Sequence, residues 1–288
     1  MNIGSKLIGA LCVIAAGMCW GATGTTQALA PKEATSLSIG AARLVFSGAL
    51  FLAIMMIKTK NKILRGEWNR KGILIAAAGL AGYQLFFFSA VKLTGVAVGT
   101  MVTVGCSPAI AGFVGSIAFG ERLSIRWYIA TALAVTGCAM IVAGGKNAVT
   151  FSPLGVILAA ASGFSYAMVG VGLRYVKRDA VETAAMMNAL SGLMLLPVLL
   201  MGDTGWIATA HGSLCVFVLA VVSTIIPYGL FSTGLKYIEL GVGYTLSLSE
   251  PLMAWFLSVT LLGEHLSLIG TIGVGILFCG LIFLAARK

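Results

Sequence analysis

The chain has 288 residues, 59% of them hydrophobic and only 10% charged, with mean hydropathy +1.02. Soluble domains run at roughly 45–50% apolar and about 25% charged, so this composition excludes an ordinary soluble fold and points to the bilayer. The 19 Lys and Arg against 9 Asp and Glu leave a net charge of +10; in so apolar a chain that surplus is first explained by charges held at an anionic membrane face, and no basic stretch looks like a nucleic-acid patch.

A helix needs about 20 apolar residues to cross a hydrocarbon core of ~30 Å. The first such run is 7–30. Lys6, this run and the small-residue "ALA" at 28–30 imitate a secretory leader, but the run is as long as a full span and Pro31 follows the would-be cleavage site, so it reads as an uncleaved first transmembrane helix. Within it Trp20, Thr23 and Gln27 share one helical face. The second run, 36–57, carries Arg43 about two turns from its outer end, where the side chain could snorkel outward, bind an anion or pair with a carboxylate in another span. The basic loop "KTKNKILRGEWNRK" at 58–71 leads to 72–91, which holds Tyr83 and Gln84. Runs 96–118 and 127–144 follow, joined by "FGERLSIR" at 119–126. The next is 154–173, with Tyr166, then 180–202, then 212–235, where Thr224, Tyr228 and Ser232 recur around Pro227. Residues 241–262 include "SLSEPLMAW", and after "LGEHLSL" the last run is 268–286. Runs this long and continuously apolar lack the alternation of barrel strands, so the predicted class is all-α, polytopic, with ten transmembrane helices.

Topology follows from the basic residues. With the N-terminus cytoplasmic, only Lys32, Lys92 and Lys146 fall outside and Arg43 lies within a span, while every other Lys and Arg is inside. Ten spans then put both termini in the cytoplasm.

The chain also repeats itself. An offset of 143 places Pro108 on Pro251, Ala111 on Ala254, Gly120 on Gly263, Glu121 on Glu264, Leu123 on Leu266, Ser124 on Ser267 and Gly137 on Gly280. Near the start of each half an offset of 146 pairs Gly9 with Gly155, Gly17 with Gly163 and Trp20 with Tyr166, and Lys92 meets Lys236 across one small gap. The match weakens over the second span of each half. Because each half has an odd number of spans, the second copy enters the membrane from the opposite side. Arg122 and Arg126 mark the copy of the polar phrase on the cytoplasmic face; its counterpart, without them, sits outside, and Glu121 and Glu264 read as paired turn elements. Inverted repeats are a recurring architecture of secondary transporters, with a site near the midplane at the repeat interface.

Glu250, immediately before Pro251, and Arg43 are the ionisable side chains within the spans, and charges there are costly enough to be functional candidates. Proline frees the carbonyl four residues back, at Ser247, and can kink the helix; Ser247 and Glu250 also lie one turn apart on one face. The first-half counterpart of Glu250 is Ser107. The predicted substrate-binding set is Trp20, Gln27, Arg43, Tyr83, Gln84, Tyr166, Tyr228, Ser247 and Glu250. No HExxH, GxxxxGK[ST] or GxSxG motif is present, and the six cysteines lie in apolar stretches without CxxC spacing, so neither an enzyme nor a metal or other cofactor is expected. Without an ATP motif, active transport would draw on a gradient, with protons a candidate. Internal duplication fits a monomer. A passive channel or facilitator for small solutes, and a membrane scaffold without flux, remain open on these residues.

Ten spans in two five-helix halves, "CWGATG" in the first span, "GAARLVFSG" in the second, and the paired "SPAIAGFVGSIAFGERLS" and "EPLMAWFLSVTLLGEHLS" resemble the EamA type of the drug/metabolite transporter superfamily. The resemblance covers essentially the whole chain. It implies five-helix repeats over 1–150 and 151–288, and a secondary transporter in a bacterial cytoplasmic membrane, carrying a small metabolite such as an amino acid or related compound, often outward. Its motifs touch Trp20, Arg43, Pro108, Glu121, Glu250, Pro251 and Glu264. Many members carry an acidic residue where this chain has Ser107.

Overall fold

Most of the membrane helices start where a short polar side chain can take up an orphan N–H. In the computed structural model, which describes residues 3–65, 67–144, 152–261 and 267–285, Thr35 accepts from Ser38 N at the start of α2 (Ser36–Lys58), and Asn69 from Gly72 N at α3 (Arg70–Phe119). Ser124 does so at α4 (Ile125–Ala143), Ser152 at α5 (Pro153–Tyr175), Asp179 at α6 (Ala180–Met201) and Thr209 at α7 (Ala210–Ala220). Ser267 accepts from Gly270 N at 3.3 Å at the start of α11 (Leu268–Ala285). Each such cap is worth on the order of 1 kcal/mol. Ser124 and Ser267 are the serines of the repeated polar phrase, so its Leu-Ser recurs because two helices begin there. Gly120 before it takes φ +64°, the left-handed turn that ends α3, and Glu121 N–H then closes on Gly115 O at 3.3 Å.

Helix α1 (Ile3–Ala28) is one span, but α3 is two. Drawn straight, its 50 residues would run about 75 Å. Yet both ends sit beside Tyr175: Asn69 Nδ2 donates to Tyr175 O at 3.0 Å, and the Phe119 and Tyr175 rings are 5.2 Å apart. The chain therefore doubles back between arms 70–94 and 98–119. Downstream, α7 passes through a π turn (Val221–Ile225) into α8 (Ile226–Gly234), with Pro227 unable to donate and Thr224 Oγ1 given to Leu219 O. The ninth crossing is broken at Ser247 and Leu248 into α9 (Leu240–Leu246) and α10 (Ser249–Leu261). Pro251 cannot reach back to Ser247 O, which takes Glu250 N–H at 3.0 Å instead. Among the described residues nine uninterrupted segments are long and apolar enough to span a membrane, and α9 with α10 makes the tenth.

The two five-helix halves pack as inverted copies. Helix α5 lies against both arms of α3 as α1 lies against α8 and α10, while α2 pairs with α6 and α4 with α11. Glycine contacts repeat atom for atom. A Cβ on Gly137 would meet Leu277 N and Gly273 O, at 2.5 and 2.7 Å; one on Gly280 would meet Ala134 N and Ala130 O, both at 3.0 Å. These are the same two contacts shifted by 143. Gly48 against Asn188 O and Ala189 Cα is likewise mirrored by Gly192 against Leu44 O and Val45 Cα, which restores the repeat across the second spans where sequence similarity fades. Close backbone approach of this kind is how membrane helices gain packing that lipid does not supply.

Basic residues gather at one end of the bundle. Lys6 lies 3.9 Å from Glu239, Arg178 donates to Arg65 O, and Lys236 donates to Arg178 O. Large apolar side chains such as Phe113, Ile117 and Leu200 face outward along the spans, as lipid contact requires. The boundary between residues 150 and 151, Lys146, and Glu264 with His265 lie outside the described residues. The six cysteines are free; Cys279 is exposed on α11, while Cys138 and Cys215 are buried.

Candidate substrate site

Trp20 and its repeat counterpart Tyr166 meet edge to face, 6.1 Å apart, where the two halves face each other. Around them stand Tyr228 and Phe231 from α8, 5.2 and 5.3 Å from Trp20, Tyr83 from the first arm of α3, 5.1 Å from Tyr166, and Tyr244 from α9, 4.8 Å from Tyr166. Edge-to-face pairs of this geometry hold their rings in fixed relation beyond what burial alone provides. Tyr244 is additionally tied down, accepting from Gly170 N at 3.0 Å and donating to Tyr166 O. The break after Leu246 lets α9 deliver that hydroxyl across to α5.

Beside the rings is a narrow cavity lined by Tyr83, Thr103, Val104, Ser107, Tyr166, Tyr244, Ser247, Leu248 and Glu250. It measures about 20 Å³, room for roughly one water. Ser107 and Glu250, which the repeat makes equivalent, open onto the same space. Their circumstances differ. Ser107 Oγ donates to Thr103 O, and Thr103 Oγ1 to Ala159 O, so the first-half hydroxyls are spent on backbone. The Glu250 carboxylate has no hydrogen bond or ion pair among the described residues.

Arg43 does not snorkel. It is 7% exposed, and among the described residues its buried Nε has no partner and it forms no ion pair within 4 Å. The charges of Arg43 and Glu250 nonetheless reach one another, and both reach Tyr83 and Tyr228. Among the described residues an unpaired guanidinium and an unpaired carboxylate thus act on the same aromatic side chains. Isolated buried charges cost several kcal/mol unless compensated, so the arrangement is expensive for the fold alone.

Of the nine residues predicted from sequence, Tyr83, Tyr166, Ser247 and Glu250 line the cavity, Trp20 and Tyr228 complete the aromatic wall, and Arg43 is electrostatically coupled to it. Ser247 Oγ is already given to Tyr244 O. Gln84 is buried away from the cavity, its Nε2 3.4 Å from Gly40 O, which ties α3 to α2. Gln27 lies nearly two turns beyond Trp20, toward the end of α1, and is not part of the lining. Sequence reasoning missed Tyr244, Thr103 and Phe231. The available signal for Thr103 was its place one turn before Ser107 in the block that repeats around Glu250.

The EamA-like transporter family matches the chain twice, over residues 7–143 and 153–286. A Bacillus subtilis (strain 168) protein named "Uncharacterized transporter YwfM" is 35% identical over 282 residues, covering 96% of this chain and 93% of its own. The "Uncharacterized inner membrane transporter YicL" of Salmonella typhimurium is 24% identical over 292 residues, 98% of this chain and 97% of its own. One crystal structure superposes with a TM-score of 0.82 at 19% identity, over 98% of this chain and 96% of that one, a likeness of fold.

Proposed function

Because the chain belongs to the EamA-like transporter family, we propose that it is a secondary transporter that moves a small metabolite, an amino acid or related compound, out across the cytoplasmic membrane by alternating access. The observation that carries this reading is the pair of oppositely charged side chains, Arg43 and Glu250, left without hydrogen bonds or ion pairs among the described residues, with Glu250 in a narrow aromatic cavity between inverted repeats. On this reading a substrate carboxylate takes up the N–H donors of Arg43, and Glu250 receives either a substrate cation or a proton. Tyr83, Tyr166 and Tyr228 supply hydroxyls, and Trp20 a π-face for a cation. Closing such a site against water strengthens both ionic contacts. The basic end of the bundle, where Lys6, Arg178 and Lys236 meet, is the cytoplasmic face, with both termini there.

Counterflow in proteoliposomes tests the transporter reading: preloaded unlabelled substrate, identified by a thermal-shift screen of metabolites, should drive transient accumulation of labelled substrate. A pore gives equilibration without overshoot. Glu250→Gln then separates the roles of the carboxylate. If Glu250 carries the coupling proton, counterflow persists and accumulation driven by an imposed pH gradient is lost; if it binds a substrate cation, both are lost. Retention of both in Glu250→Gln and in Arg43→Ala would sink the site assignment.

A further inference from the structure

Away from the central cavity, Glu121 and Arg174 make a buried ion pair at the basic end. The Glu121 side chain is only 6% exposed, far from the solvated turn residue that its loop position implies. Its two oxygens accept Leu240 N–H at 3.0 and 2.9 Å, and one accepts from Arg174 Nη1. The Arg174 guanidinium also donates to Leu235 O, from Nε at 3.3 Å and Nη2 at 3.2 Å, and to Ile238 O, and it lies over the Phe119 ring. Glu121 follows α3 and Arg174 ends α5, which pack as one block; Leu235, Ile238 and Leu240 join α8, which packs on α1, to α9, which packs on both α3 and α1. The pair therefore clips the end of α8, and with it α1, to the α3–α5 block at one end of the bundle. Beside it is a cavity of about 470 Å³, lined by Arg174, Leu235, Lys236 and Ser232; Ser232 lies one turn from Tyr228, and its Oγ is buried without a partner among the described residues.

The inverted repeat shows what the other end lacks. An offset of 143 puts Glu264 in the place of Glu121, but an offset of 146 puts Ala28 in the place of Arg174. We propose that Glu121, Arg174 and the α8–α9 backbone they hold form a one-sided gate, which favours the conformer closed at the basic end. The proposal rests on the alternating-access reading above. Opening that end requires Arg174 to leave two carbonyls and Glu121 to leave an amide, a set of charge-assisted bonds that the opposite end, with alanine at 28, cannot form. Substrate arriving from the basic side meets this barrier before it reaches Tyr228.

Hydrogen exchange of the full-length protein in nanodiscs, read by mass spectrometry, tests the gate. In the wild type residues 235–243 should exchange more slowly than their repeat counterparts in the opposite arm, 91–99. Glu121→Gln should speed exchange over 235–243 by at least about tenfold, since breaking a buried pair strands its partner charge. It should also slow exchange over 91–99, because opening one end closes the other. Arg174→Lys, which keeps the charge but not the planar fork, should shift both segments the same way by less. Faster exchange confined to 235–243 would reduce the pair to a local clamp and overturn the gate, as would equal protection of the two ends in the wild type or no change in either variant. Counterflow on the same preparations reports transport separately: its absence in the wild type defeats the transporter reading whatever the exchange data show.

Discussion

Replacing Arg43 by methionine should make the protein more stable and less active. The guanidinium is 7% exposed, has a buried Nε with no acceptor and lies within a membrane span, with Glu250 too far for an ion pair. A cation at mid-helix costs about 2.5–3.5 kcal/mol on insertion scales, and an unmet buried donor about 1–3 kcal/mol. Part of that cost is offset by attraction to Glu250, and losing Arg43 leaves the carboxylate to take up a proton. A net gain of about 1–2 kcal/mol is expected, visible as a rise in Tm of roughly 2–6 °C in detergent without substrate. Counterflow should fall by about a hundredfold in kcat/KM, the equivalent of one lost charge-assisted contact of ~3 kcal/mol. The Arg43→Met, Glu250→Gln double variant should be at least as stable as the wild type, since no charge remains to strand. A loss of about 3–5 kcal/mol in Arg43→Met would refute this reasoning, because that is the signature of breaking a pair the fold depends on.

Gly137→Ala should lower Tm, by the equivalent of about 1–3 kcal/mol, because its Cβ would lie 2.5 Å from Leu277 N on a backbone that cannot yield, whereas Gly275→Ala, with nothing within 4 Å, should be neutral or slightly stabilising. Tyr244→Phe removes both the acceptor of Gly170 N–H and the donor to Tyr166 O, and thermal unfolding should show a loss of about 1–3 kcal/mol. A fluorescent protein fused to the C-terminus should fold and fluoresce in intact cells, and alkaline phosphatase at the same place should be inactive, if the basic end is cytoplasmic. The reverse pair of results would invert the topology.

Hydropathy and the repeat made the ten crossings and their inverted halves legible, because span length and the parity of five helices leave few alternatives. The second-span match was not legible. What the fold preserves there is the close backbone approach of Gly48 and Gly192, and the positions around those glycines vary in side chain without altering it. Six of the nine predicted site residues line the cavity or its aromatic wall, and Arg43 is coupled to it, for a similar reason: a costly charge or a large ring within a span is conspicuous in sequence. Gln84 and Gln27 were equally conspicuous as polar residues, but an amide can be satisfied by a neighbouring carbonyl, as Gln84 is by Gly40 O, so polarity alone does not separate packing from binding. Glu121 was placed correctly in its turn. Its burial depends on Arg174 and Leu240, residues 53 and 119 positions away in the chain, and no local pattern carries that information.

Three of the four charged groups on which function is proposed to turn, all but Glu121, share one property that follows from the duplication. Glu250 corresponds to Ser107 at an offset of 143, Arg43 to Met187 at the offset of 144 that relates Gly48 to Gly192, and Arg174 to Ala28 at 146. In each case one copy of the repeat forms the corresponding helix without the charge. Met187 is fully buried and Ala28 is exposed, and Ser107 is satisfied by Thr103 O. The fold itself therefore does not require a carboxylate, a guanidinium or a gate arginine at these positions. A two-fold fold gives two ends that are equal in energy, and an equal carrier has no preferred resting face. Charges present in one copy only are the means by which such a fold acquires a site with two unlike poles and a bias toward one side.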